Sequence, residues 1–211
     1  MHVAELAAFL LAIAALLASA EVLRRRGVSA DATRRYTHAA GASVAALLPA
    51  FLTLDESVAL GAVVAAVLAW TRRRGILRSV HGVERPTLGA ALFPLGLALA
   101  AIVGWPQPAS YVLATLTFAL ADPAAALVGA RFSSPRWAVW KGTKTLGGSL
   151  AFAGVALLIG LVATAWAPLP IGAIVLAAIV LAVVEGSLGF GLDNLVVPPL
   201  AALTWQAVLG A

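Results

Sequence analysis

The chain has 211 residues, of which 62% are hydrophobic and only 11% are charged, and its mean hydropathy is +1.01. A soluble domain carries roughly twice this charged fraction, so the composition excludes an ordinary soluble protein and predicts an integral membrane protein. The absence of cysteine excludes disulfides and thiolate metal sites.

Apolar runs recur along the whole chain, and a run of about 20 residues crosses the hydrocarbon core of a bilayer as a helix. We predict an all-α, polytopic membrane helix bundle that forms a single domain over residues 1–211, with about eight transmembrane helices and a range of seven to nine. The predicted helices lie at 3–23, 39–54, 57–70, 88–104, 109–130, 148–167, 170–185 and 195–210.

The positive charges give this helix map an orientation. All 14 lysines and arginines fall in three predicted loops, at Arg24, Arg25, Arg26, Arg34 and Arg35, then Arg72, Arg73, Arg74, Arg78 and Arg85, then Arg131, Arg136, Lys141 and Lys144. In an eight-span topology these loops lie on one side, and the positive-inside rule makes that side cytoplasmic and both termini extracytoplasmic. A multi-pass cell-membrane protein therefore accounts for the basic residues, and no nucleic acid is needed as a partner.

The first polar feature along the chain is "RRYTH", in which Arg35 and His38 are three residues apart and share one helical face. His38 lies near the predicted inner membrane surface, where it could contact phosphate or act as a base. A single histidine at that depth is equally typical of an interfacial anchor.

Asp122 is the clearest ionisable residue inside a predicted span. It stands nine positions before Arg131 in "FALADPAAALVGARF", which is about 13 Å along a helix. An ionisable side chain at this depth is costly and indicates function. Pro123 predicts a broken helix in which Asp122 is the N-cap of a new half-helix. The alternative is a capped kink around a protonated aspartate.

The only two lysines of the chain lie in "WKGTKTLGGSL". A lysine ammonium suits point contact with phosphate oxygens, and a helix that starts near Gly148 would direct its positive end at the same anion. The spacing differs from a Walker A loop, and a positive-inside loop with turn glycines is the alternative. The candidate phosphate-binding residues here are Lys141, Lys144, Thr145, Gly147, Gly148 and Ser149.

The segment "EGSLGFGLDNLVVPPL" carries two further carboxylates and an amide, in Glu185, Asp193 and Asn194. Oxygen ligands of this kind hold hard cations such as Mg²⁺ against a polyphosphate. The candidate metal ligands are therefore Asp122, Glu185, Asp193 and Asn194. Taken alone, this segment is also consistent with a loop whose Asp193 caps the next helix.

Five blocks, "RRYTHAAG", "ERPTLGAALFPLG", "ADPAAALVGARF", "KGTKTLGGSLAF" and "EGSLGFGLDNLVVPPLAAL", occur in that order. Together they resemble the dolichol kinase/phytol kinase family of CTP-dependent membrane lipid kinases, over residues 34 to 203. The resemblance implies transfer of a phosphoryl group from CTP to the hydroxyl of an isoprenoid alcohol, with a divalent metal. The matching polar residues are Asp122, Lys144, Gly148, Ser149, Asp193 and Asn194. One departure is Gly147, where many relatives carry glutamate.

We therefore expect a kinase with Asp122 and Asp193 as catalytic carboxylates, Mg²⁺ as cofactor and the active site on the cytoplasmic face. One alternative is a CTP-dependent phospholipid cytidylyltransferase, although the long basic signature near the C-terminal end of such enzymes is missing. A small-solute transporter with an ion site at Asp122 is the other. The sequence does not specify the alcohol, the nucleotide or the oligomeric state.

Overall fold

The computed structural model describes residues 2–83 and 87–210. Four helices of this part of the chain, α1, α4, α7 and α8, are long and apolar enough to cross a membrane, and α6 and α9 are shorter apolar helices. This confirms the prediction of a helical membrane protein. The helices are α1 (Val3–Arg25), α2 (Ala30–Ala45), α3 (Leu48–Phe51), α4 (Leu54–Arg73), α5 (Arg78–His81), α6 (Gly89–Gly104), α7 (Pro108–Arg131), α8 (Leu146–Ala163), α9 (Ile171–Ser187) and α10 (Asp193–Leu209).

The predicted helix at 39–54 is wrong at both ends. Helix α2 begins nine residues earlier, because the Ser29 hydroxyl caps it by accepting a hydrogen bond from the Ala32 amide at 3.2 Å. It ends before Pro49, which occupies the first turn of α3, where a missing N–H costs nothing. Arg34 and Arg35, assigned to a loop by the sequence, therefore lie in α2.

The predicted break at Pro123 is also wrong. Helix α7 is continuous from Pro108 to Arg131, with Pro123 in its interior. The proline removes one backbone hydrogen bond, to the carbonyl of Ala119. The helix persists because it is packed on several sides, by α2, α6, α8 and α10. Asp122 is thus a residue within a helix and not an N-cap.

A short β-hairpin joins α7 to α8 and departs from the all-α prediction. Strands β1 (Arg136–Val139) and β2 (Gly142–Thr145) are antiparallel and pair Trp137 with Lys144. The connecting turn holds Lys141 at a positive φ of 49°, and the Trp137 indole N–H donates to the carbonyl of Gly186 at 2.8 Å. This bond fixes the hairpin against the end of α9.

Helices α6 and α10 approach each other closely through glycines. A Cβ on Gly96 would collide with the backbone carbonyl of Asn194, and a Cβ on Gly191 would collide with the amide of Gly89. Gly191 also has a φ of +88°, which glycine adopts at little cost. These contacts set the first turn of α10, and with it Asp193, beside the start of α6.

The "ERPTLG" block, with Arg85, lies partly outside the described residues.

Candidate functional site: a carboxylate cluster with a buried lysine

Three carboxylates from three different helices meet at one point. Asp122 of α7, Glu185 of α9 and Asp193 of α10 each offer an oxygen, and these oxygens lie within 4.8 Å of one another. Glu185 is buried, with 4% of its surface exposed. Asp122 and Glu185 are 63 residues apart in sequence, and Glu185 and Asp193 are 8 residues apart. The packing of α7, α9 and α10 brings them together.

Lys144 neutralises part of this negative charge. Its ammonium donates to Glu185 Oε1 and, at 3.0 Å, to Asp193 Oδ2. Burial by itself lowers the pKa of Lys144, but the attraction of Asp193 and Glu185 outweighs it and raises the pKa above its ordinary value. Lys144 therefore stays charged, and its place between two carboxylates is one that a metal cation would also fill.

The cluster faces a polar cavity of about 910 Å³. Cationic side chains from α1, α2 and the β-hairpin line this polar cavity together with the carboxylates, and they are Arg24, Arg34, Arg35, Arg136, Lys141 and Lys144. Such a mixture of clustered anionic oxygens and surrounding cations suits a metal-bound polyphosphate.

His38 lies between the polar cavity and the hydrophobic interior. Its Nε2 is 3.7 Å from Asp122 Oδ2 and 3.2 Å from the carbonyl oxygen of Phe118. Its ring packs between Phe93 and Phe118, with centroid distances of 4.7 and 4.6 Å. His38 thus contacts Asp122, one of the three carboxylates of the cluster.

A second, apolar cavity of about 120 Å³ runs between α1, α2, α4 and α6, and we call it the apolar groove. Arg34, His38 and Asn194 line both the apolar groove and the polar cavity. The junction is tightly built, since a Cβ on Gly89 would meet the Asn194 amide nitrogen and, at 2.6 Å, the Arg34 guanidinium. A molecule with a polar head and an apolar tail can occupy both cavities at once.

The start of α8 differs from the expected anion site. The Thr145 hydroxyl caps the helix by accepting from the Gly148 amide at 3.0 Å, and the Gly147 amide donates to the Ser134 hydroxyl at 3.1 Å. The Leu146 amide donates to the carbonyl of Pro135. These amides already have partners within the protein, so the phosphate-binding capacity of this segment rests on Lys144 and on side-chain hydroxyls.

The other predicted phosphate ligands lie around the rim. Lys141 stacks its ammonium over Phe190, 4.6 Å from the ring centroid. Arg35 pairs with Asp31 at 3.8 Å. The Ser149 hydroxyl is buried and has no hydrogen-bond partner among the described residues. All three residues line the polar cavity; Lys141 and Arg35 are available to a ligand there, whereas the buried Ser149 hydroxyl faces Gly186.

Sequence reasoning missed Arg34, Arg24 and Arg136 as site residues. It assigned them to positively charged loops, although Arg34 lies at the junction of the two cavities and the others line the polar one. One signal was present for Arg34, since it precedes His38 by four residues and would share its face on a helix that began early enough.

The three carboxylates could hold a hard cation such as Mg²⁺. Asp122, Glu185 and Asp193 offer oxygen ligands from three helices, and Mg²⁺ prefers oxygen ligands. Asn194 lies beside them at the start of α10, and its amide nitrogen faces Gly89. Metal binding here would displace the Lys144 ammonium from Glu185 and Asp193 and free it for a phosphate.

Comparison with known proteins gives no family for this chain: no protein-family model, no curated protein and no solved structure matches it.

Proposed function

We propose that this protein is a membrane lipid kinase that transfers the γ-phosphate of CTP, or of another nucleoside triphosphate, to the hydroxyl of an isoprenoid alcohol. One observation carries the proposal. A cluster of three carboxylates and a lysine borders a polar cavity, and this polar cavity meets an apolar groove at Arg34, His38 and Asn194. The head of the lipid and the triphosphate can therefore meet beside Asp122.

In this scheme the cationic side chains bind the triphosphate. Lys144 and Lys141 contact phosphate oxygens, and Arg35 orients the chain of phosphates from α2. Asp193, Glu185 and Asn194 would hold Mg²⁺ together with Asp122, and the bound metal would supply neutralisation of the negative charge on the phosphates. These interactions act mainly by placing the donor in line with the acceptor.

Asp122 offers one carboxylate oxygen to the cluster, and its other oxygen accepts the proton of the alcohol. The hydroxyl oxygen attacks the γ-phosphorus, the bond from this phosphorus to the β–γ bridging oxygen breaks, and the nucleoside diphosphate leaves. Asp122 suits this role because it belongs to α7 inside the bundle and lies next to His38, at the boundary with the apolar groove. A hydroxyl whose tail lies in the groove reaches this carboxylate first.

We also propose the eight-span topology, with both termini outside the cytoplasm and the active site on the cytoplasmic face. Eight helices of the described chain have 16 residues or more. The polar cavity is lined from the end of the bundle that carries the arginines and lysines, in agreement with the positive-inside rule.

The test is label transfer by the purified protein. With Mg²⁺, a panel of prenols and each of the four triphosphates, we expect label from γ-labelled nucleotide in the lipid and none from α-labelled nucleotide. Transfer of the α-label to a phospholipid would instead identify a cytidylyltransferase. Solute flux into proteoliposomes without any lipid phosphorylation would identify a transporter and would contradict the proposal.

His38→Ala is expected to lower kcat about tenfold to a hundredfold, the usual effect of losing a group that orients a catalytic ligand. Because His38 contacts Asp122 and not the lysines, KM for the nucleotide should stay close to the wild-type value. His38→Gln retains a donor near the carboxylate and should recover part of kcat. A purely structural role predicts instead that both variants lose stability in proportion to activity, with an unchanged pH profile.

A further inference from the structure

Phe190 and Lys141 both have a left-handed backbone and contact each other at the edge of the polar cavity. Their φ values are 59° and 49°, a conformation that residues with a side chain rarely adopt. The Lys141 ammonium lies 4.6 Å from the centroid of the Phe190 ring, and both residues line the polar cavity. Strained residues persist only where the surrounding structure holds them, and they cluster at ligand sites.

The position of Phe190 is fixed from two sides. A Cβ on Gly189 would collide with the carbonyl oxygen of Trp140, so the loop before α10 packs directly on the turn of the β-hairpin. On the other side, the Phe190 carbonyl accepts a hydrogen bond from the Leu88 amide at 3.1 Å. The Trp140 ring packs against the Phe190 ring with a centroid distance of 5.1 Å and an interplanar angle of 58°. The Phe190 ring is therefore held in place at the edge of the polar cavity.

Phe190 offers an aromatic surface that a ligand can reach. Two aromatic residues of the described chain line the polar cavity, Phe190 and His38. The His38 ring is already packed between Phe93 and Phe118. The Phe190 ring is covered instead by the ammonium of Lys141, which is an exposed residue, and a cation–π contact at an exposed site is weak. A planar ligand can therefore displace the ammonium from the ring.

We propose that the nucleobase of the triphosphate stacks on the Phe190 ring, and that Lys141 moves from the ring to the phosphates when the nucleotide binds. This rests on the proposed function, and it assigns the nucleoside end of the donor to a residue outside the carboxylate cluster. The γ-phosphate has to face the lipid hydroxyl where the two cavities meet, at Arg34, His38 and Asn194. The hairpin side of the polar cavity is then left for the base.

The movement of Lys141 couples the binding of the base to the binding of the phosphates. When a base occupies the ring, the ammonium leaves a weak cation–π contact and donates a charge-assisted hydrogen bond to a phosphate oxygen, which is the stronger interaction. A nucleoside triphosphate gains from both the Phe190 ring and the Lys141 ammonium. A triphosphate without a base gains from the ammonium alone.

The experiment compares two ligands of the intact protein in nanodiscs, a nucleoside triphosphate and ribose 5-triphosphate, which lacks only the base. Isothermal titration calorimetry with Mg²⁺ and without an alcohol gives both Kd values. The wild type should bind each of the four nucleoside triphosphates about fivefold to a hundredfold more tightly than ribose 5-triphosphate, the usual range for stacking of a base on an aromatic side chain. Phe190→Leu should lose most of this preference, and Phe190→Tyr should keep it.

Three further variants separate stacking from folding. Phe190→Asn removes the ring but suits a left-handed backbone, so it should lose the preference for the base and stay folded. Lys141→Met should weaken the binding of both ligands to a similar extent, because its contact is with the phosphates. Phe132→Leu is the matched control, since Phe132 is 58% exposed and lies outside the lining of the polar cavity; it should retain the wild-type Kd values.

Binding and phosphoryl transfer distinguish the two claims. If the preference for the base depends on Phe190 but no lipid receives the γ-label, the kinase proposal fails and the base site stands. If the γ-label reaches the lipid while Phe190→Leu and Phe190→Asn keep the wild-type preference, the base site is overturned and the kinase proposal stands. An equal loss of affinity for both ligands in Phe190→Leu would also overturn the base site, because the ring would then only support the phosphate-binding residues.

Discussion

Asp122→Asn is expected to lower kcat by roughly 10² to 10⁴, the contribution of a positioned general base. An asparagine keeps the shape of the side chain but cannot accept the proton of the attacking hydroxyl. The substitution leaves Lys144, Glu185 and Asp193 in place, so KM for the nucleotide should change much less than kcat. Steady-state kinetics at saturating Mg²⁺ separate the two parameters.

The stability of this variant distinguishes catalysis from folding. Asp122 shares a small volume with Glu185 and Asp193, whose oxygens lie within 4.8 Å of its own, and like charges at this range repel. Removing one of them should leave the Tm unchanged or raise it. A variant that is inactive and at least as stable as wild type would have lost a reacting group and not its fold.

Asp55→Asn provides the control, because it makes the same chemical change at an exposed position in the first turn of α4, far along the chain from the cluster. It should be indistinguishable from wild type in kcat. The assignment of Asp122 fails if Asp122→Asn retains activity within about threefold of this control.

The positions of most helices were predictable, because a long apolar run in a membrane protein has no stable alternative to a helix. Helix α2 shows where this reasoning stops. Its first two turns contain Asp31, Arg34 and Arg35, which look like loop residues in a hydropathy pattern. They are helical because Ser29 caps the helix and because these side chains line a polar cavity that the sequence does not display.

The carboxylates of the candidate site were also identifiable from sequence, since charges near or within apolar spans are costly and require a reason. The residues that surround these carboxylates were not identifiable from sequence. The same Thr145 and Gly148 are consistent with a phosphate loop and with a helix cap, and a hydrogen bond of 3.0 Å between them decides for the cap. Whether the Gly147 amide is free depends on Ser134, 13 residues away, and only the tertiary structure sets that distance.

Lys144→Met is expected to destabilise the protein by about 3 to 5 kcal/mol, the usual cost of removing one partner from a buried ion pair. Only 17% of the Lys144 side chain is exposed, and its two partners, Glu185 and Asp193, are exposed by 5% and 15%. Without the ammonium, three carboxylates face one another uncompensated. The measurement is the unfolding free energy in mixed micelles without divalent metal, together with phosphoryl transfer, which should be lost.

Lys141→Met is the matched control. The Lys141 ammonium lies over the Trp140 and Phe190 rings, at 5.4 and 4.6 Å from their centroids, and such a contact at an exposed site contributes about 0.5 to 1 kcal/mol.

Alkaline titration is a second check on the contribution of Lys144 to stability. The pKa of Lys144 is raised above 10.5, so its stabilisation is fully present below that pH and is lost as pH rises through the folded pKa. Lys144→Met should lack this alkaline loss.

Mg²⁺ should rescue Lys144→Met more than it stabilises the wild type. In the wild type the metal has to displace the ammonium from Glu185 and Asp193, whereas in the variant it meets three free carboxylates. A metal present at a hundred times its Kd contributes about 2.7 kcal/mol, which restores most of the lost stability without restoring catalysis. Equal Mg²⁺ stabilisation of both proteins would mean that the cation binds elsewhere, and the carboxylate cluster would then be a structural ion-pair network held together by Lys144.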